Sequence, residues 1–143
     1  MKAPTIYTIA ALLMLPVTLN AQPGTPANPA TDTIQWEYSG IQNLTNAEEL
    51  TLSGQFTSYG GHGLLWVQNG ESNDYSITVN SVQGDWQDIN VSGELTYAVT
   101  CQDLSGTIKV FREGTSLKIR IDFGEPGSLS PHIILHIDTY AKI

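Results

Sequence analysis

The chain has 143 residues, with 6 Lys and Arg against 14 Asp and Glu, for a formal net charge of -8. So acidic a balance, with no cluster of Lys and Arg, argues against nucleic acid and against anionic membrane surfaces as partners. The length suits one domain with a single core, and the lone Cys101 excludes an internal disulfide.

The chain opens with Met1-Lys2, an apolar run from Ile6 to Leu15, the breaker Pro16 and a small residue at Ala21. That order predicts a secretory signal peptide over 1–21. The run is too short to span a membrane. A secreted or periplasmic location follows as an expectation. Residues 22–32 carry three prolines in QPGTPANPAT and almost no large apolar side chain, which predicts a flexible linker before an all-β domain over 33–143.

Strands are expected at 33–38, 48–57, 63–69, 74–82, 88–100, 105–112, 116–123 and 132–142. The clearest signal lies between Asp88 and Phe123. Ile89, Val91, Leu95, Tyr97 and Val99 alternate with polar residues, as do Ile108 and Val110, and then Leu117, Ile119, Ile121 and Phe123. A two-residue period means one buried and one wet face. Leu95, Tyr97, Ile119 and Ile121 should therefore be buried, with Glu94, Lys118 and Arg120 in water. Turn residues fill the gaps at Ser39-Gly40, Gly60-Gly61, Asn69-Gly70, Gly84-Asp85, Glu113-Gly114 and 124–131. Thr45 and Glu48 have capping-box spacing for a single helical turn. Links this short allow only antiparallel neighbours. The expected architecture is an up-and-down meander of about eight strands closed into a barrel, with a β-sandwich as the alternative. A membrane barrel fits poorly, because strands at 33–38, 63–69 and 116–123 fall short of the roughly nine to eleven residues needed.

With Trp36 on the first strand of an exported all-β chain of this size, the sequence resembles the lipocalin and wider calycin group in architecture. Ile34 stands where that group's first motif has glycine, Asp138-Thr139-Tyr140 permutes its later triplet, and Lys142 is the only cation near the C-terminus. The resemblance implies carriage of a small ligand.

In a meander, alternate loops share an end. The loops at 58–63, 83–88 and 112–115 should gather at one pole, bringing together Tyr59, His62, Asp85, Trp86 and Arg112. Aromatics and a few polar groups beside glycine-rich loops form a plausible ligand mouth. The alternative is that Trp86 and Tyr59 plug the barrel end as core. The opposite pole should be acidic, with Glu48, Glu71, Asp74, Asp103 and Glu125 beside Cys101. Cys101 reads as a buried small hydrophobe or, alternatively, as the link of a disulfide dimer. Trp36 and Trp66 read as core.

Catalytic and metal signatures are weak. His132 and His136 lie about 13 Å apart along one strand, too far to share a metal. His136 and Asp138 share a face. No nucleophile elbow, zinc spacing or phosphate loop occurs. The pairs Asp85/Asp88 and Asn73/Asp74 lack calcium-loop spacing. Asn43 and Asn90 head glycosylation sequons. No cofactor is expected. The leading expectation is an exported, non-enzymatic barrel binding a small apolar or sugar-like ligand or a protein partner. Its rivals are a structural or adhesive surface module and a small hydrolase or isomerase using His62 or His136.

Overall fold

A computed structural model describes residues 25–68, 74–124 and 131–143. The expected leader lies outside them, as do Glu71, Asn73 and Glu125. Eight strands run in chain order: β1 (Thr33–Asn43), β2 (Glu49–Tyr59), β3 (Gly63–Gln68), β4 (Asp74–Gln83), β5 (Gly93–Cys101), β6 (Leu104–Glu113), β7 (Ser116–Phe123) and β8 (His132–Lys142). Each pairs antiparallel with the next, and β1 pairs with β8, so the sheet is a closed up-and-down barrel. That last pairing decides against the β-sandwich.

The alternation sets which wall faces in. Leu95, Tyr97, Val99, Ile108, Val110, Ile119 and Ile121 are all buried, while Glu94 and Arg120 are exposed and Lys118 is partly so. Slipping one strand by a residue would expose its whole apolar set, so the burial pattern also holds the register. Glu94, Lys109 and Arg120 stand on the outer wall, the reverse of the apolar band that faces lipid in a membrane barrel.

Four stretches differ from the expected elements. Ser39-Gly40 is not a turn: β1 continues to Asn43 through an irregularity at Ser39, where Asp138 on β8 also drops out of register. The Ser39 hydroxyl donates to Asp138 Oδ2 at 2.5 Å across this bulge. Residues 88–92 are not strand. Ile89 is buried but Val91 is 52% exposed, so the apparent alternation there comes from a loop that folds one side chain inward. Ala27 to Asp32, expected as the end of a flexible linker, packs on the barrel. Ala27 is buried and its carbonyl accepts from Ile89 N at 3.0 Å. Asp32 Oδ2 accepts from Asn28 N at 2.8 Å and lies 3.1 Å from Lys142 Nζ, fastening this segment to the last strand. The backbone bond from Asn28 and then Lys142 hold the Asp32 carboxyl below its ordinary range. At 44–46 the chain makes a plain turn, closed by Asn43 Oδ1 accepting from Thr45 N.

The meander therefore has two unlike poles. At one lie the segment 27–32, the loops 60–62, 84–92 and 114–115, and the end of β8. At the other lie the turns 44–48 and 102–103. Between them the lumen is filled by large side chains, among them Trp36, Tyr38, Phe56, Tyr97 and Leu135. Each indole has a hydrogen-bond acceptor, as a buried Trp N–H requires. Trp36 donates to Ser58 Oγ at 3.0 Å, Trp66 to Tyr38 Oη at 2.8 Å and Trp86 to the Val91 carbonyl at 2.9 Å.

Candidate functional site

The pole expected to hold a ligand mouth is sealed. Trp86 is only 2% exposed and stacks on Trp36 with ring centroids 6.5 Å apart. Ile89 is fully buried beside it in the cluster, under the Ala27 strap. Arg112 Nε donates to the Ile89 carbonyl at 2.5 Å, so this guanidinium ties down the plug loop. Asp85 accepts from Gln87 at 2.9 Å on the surface.

Of the five residues placed together by the topology, Tyr59 and His62 share a depression. They line a shallow, open groove with Leu65, Ser76 and Thr78. Arg112 belongs to a separate shallow groove with Phe111 and Lys109. The meander does bring the loops to one pole, but the side chains diverge: Trp86 points into the lumen while Tyr59 and His62 are exposed. A hydrogen bond or ion pair between His62 and either Asp85 or Arg112 is not found among the described residues.

The opposite pole holds a pocket of about 240 Å³ at the inner face of the barrel. Its walls are Trp66, Tyr75, Ile77, Leu104, Phe123 and Pro131. Trp66 and Tyr75 are cross-strand partners on β3 and β4, with ring centroids 5.5 Å apart and planes at 39°. Directly opposed residues share a face, which puts both rings on the lumen side. The same rule pairs Cys101 with Leu104 at the end of β5 and start of β6. Tyr38, whose hydroxyl takes the Trp66 N–H, sits behind the Trp66 wall. Its ring fits because Gly54 carries no side chain: a Cβ there would overlap the phenol.

Gln68, Gln102 and Cys101 supply the polar part of the lining. None of these lining residues is charged. Burial pushes the Cys101 thiol up, so it is held protonated against the apolar wall. The described carboxylates Glu48, Glu49, Asp74 and Asp103 at this pole are exposed. Leu104, 45% exposed, forms part of the rim. Leu50 faces the same way, since it pairs with the buried Ile41.

On the outer wall near this pole, His132 Nδ1 lies 3.1 Å from Asp122 Oδ1, and Arg120 Nε donates to Asp122 Oδ2 at 2.7 Å. Burial pushes the Asp122 carboxyl up, and the bonds from Arg120 and then His132 more than reverse it, leaving it below its ordinary range. This trio braces β7 against β8 outside the lumen. His136 Nε2 lies 3.9 Å from Glu49 Oε1 and does not meet Asp138, which is taken by Ser39. Among the described residues, no three His, Cys, Asp or Glu side chains converge to hold a metal ion.

Sequence reasoning placed Trp66 in the core and looked to the other end for a site. Two signals point to the pocket: an apolar residue at a strand end beside a turn, as at Leu104, and aromatics on adjacent hairpin strands.

Compared with family models, curated proteins and solved structures, the chain matches none. The fold and pocket define a closed eight-stranded antiparallel barrel, sealed at one pole and indented at the other. The likeness to lipocalins rests on that architecture.

Proposed function

We propose that this protein is an exported, non-enzymatic barrel that binds a small, largely apolar ligand at the pole opposite the start of β1 and the end of β8. The observation that carries this reading is the aromatic pocket of about 240 Å³. An apolar cavity of about 150 Å³ holds benzene, and drug-sized sites run from about 300 Å³ upward. The guest is therefore a small molecule or one end of a larger one. The charge-run-break order of the first 21 residues supports export.

A packed lumen over the rest of the barrel favours a second reading, a rigid surface module without a ligand. Native mass spectrometry of protein purified from its own host separates the two. Under the first reading a retained small molecule is expected, lost in a Leu104→Trp variant that fills the rim. A bare polypeptide mass, with no change in Trp emission on titrating toluene or phenol, would favour the surface module.

A further inference from the structure

We propose that the outer wall of β6, β7 and β8 binds an acidic polysaccharide through Lys109, Lys118 and Arg120. This surface is separate from the pocket, and it depends on export only for where such a partner is met. Strand pairing builds it in two rows that cross three strands. Lys109, Arg120 and Ile134 stand opposite one another in one row, and Phe111, Lys118 and His136 in the next. Opposed residues share a face, and the burial of Leu117, Ile119 and Leu135 turns this face outward. Half of the chain's 6 Lys and Arg stand in these rows. No run of sequence holds them together, since β6 supplies one and β7 the other two.

The arrangement does not serve the fold. Like charges directly opposite on a sheet are destabilising, and Lys109 faces Arg120 across the β6–β7 ladder. Two carboxylates offset this from the flanks: Glu94 lies 2.7 Å from Lys109 Nζ, and Asp122 lies 2.7 Å from Arg120 Nε. Lys118 has no ion pair among the described residues. A local rule broken without gain to the fold marks a functional surface. Both ion pairs are partly open to solvent, where such pairs are weak, so an incoming anion can displace the carboxylates.

Shape and chemistry narrow the partner. The barrel is closed through β5, β6, β7, β8 and β1, so this wall has no free strand edge to take up a peptide. Lys109 Nζ lies 4.9 Å from the centroid of Phe111, over the ring face that a nucleobase would need for stacking. Three cations are fewer than the about four to eight that hold a protein on anionic lipid. Their backbone positions are spaced by about 5 Å across strands and about 7 Å along one strand. Single contacts on so open a wall are weak, and a polymer with sulfate or carboxylate on successive sugars gains by making several at once.

Retention on immobilised heparin and on immobilised polygalacturonate at low salt tests this, with neutral dextran as the blank. A chain of formal net charge -8 is repelled as a whole, so retention reports a local surface. Both polymers should hold the protein and release it as salt rises. Binding should weaken about threefold or more in Lys118→Ala, which should stay folded, and be lost in Lys118→Glu combined with Arg120→Gln. Lys142→Gln removes the same charge at the sealed pole and should leave retention unchanged. Toluene titration should give the same result in Lys118→Ala as in the parent protein, so the surface and the pocket stand or fall separately.

Flow-through from both polymers would overturn the proposal, as would undiminished retention in Lys118→Ala. An equal loss in Lys142→Gln would overturn it too, by assigning retention to net charge. Tighter binding to single-stranded DNA or to phosphatidylglycerol vesicles than to heparin would replace the polysaccharide by that partner.

Discussion

Gly93 lacks a side chain where the indole of Trp86 lies. A Cβ on Gly93 would overlap Cδ1 and Cγ of that ring, so the first residue of β5 and the plug of the sealed pole are mutually dependent. Trp86→Ala should cost about 3–5 kcal/mol through the cavity it opens, and Gly93→Ala about 1–3 kcal/mol through overpacking. The double variant should be less destabilised than the sum, because removing the ring removes the overlap. Urea denaturation of the four proteins measures the coupling; strict additivity would refute the contact.

Adjacent positions on β7 should differ sharply. Ile119 is fully buried, opposite Val110 on β6 and Leu135 on β8, whereas Lys118 lies on the outer wall. Ile119→Ala is expected to cost about 2–5 kcal/mol, and Lys118→Ala to stay within about half a kcal/mol. Chemical denaturation midpoints at a common slope decide it.

Burial pushes the Tyr97 hydroxyl up to about 12 from an ordinary value of 10.0. Its folded value exceeds its unfolded one, so the stabilisation is complete below the unfolded value and is lost as pH rises from there through the folded value. Two pH units correspond to about 3 kcal/mol. Stability should therefore decline between roughly pH 10 and 12, and Tyr97→Phe should remove that part of the slope. An unchanged alkaline slope in Tyr97→Phe would contradict it.

Cys101 lines the pocket rather than the outer wall. A bulky maleimide should label it more slowly in the native protein than in denaturant, since partial burial narrows access and pushes the thiol up. The native rate should go on rising with pH after that of a free thiol has levelled off, because the raised thiol ionises later. A dimer band lost on reduction would instead assign Cys101 to assembly.

The barrel was legible because alternation and short links are local signals. Ile119, Ile121 and Phe123 announce β7, and Glu113-Gly114 its turn. Details that depend on contacts between distant segments were not. Ile89 and Val91 keep a strand's period in a loop, and only the lumen's need for a plug turns Ile89 inward. Nothing local in Ala27 to Asp32 shows that Ala27 will cap Ile89 or that Lys142 will find Asp32. The pocket was hidden for the same reason. Trp66 reads as core and is buried, but which residues share the pocket wall with it, Tyr75 of β4 among them, depends on pairing across strands.

Closure of the barrel by its first and last strands has a consequence for how the chain folds. Thr139 donates to Glu37 across 102 residues of sequence, so this seam cannot form until nearly all the chain is available. Hairpins β5–β6 and β6–β7 can assemble early at low entropic cost, while β1 waits as an open edge for β8. Such non-local pairing slows folding to the millisecond-to-second range typical of small β proteins. During that interval the exposed edge is the part of the molecule most able to pair with another chain.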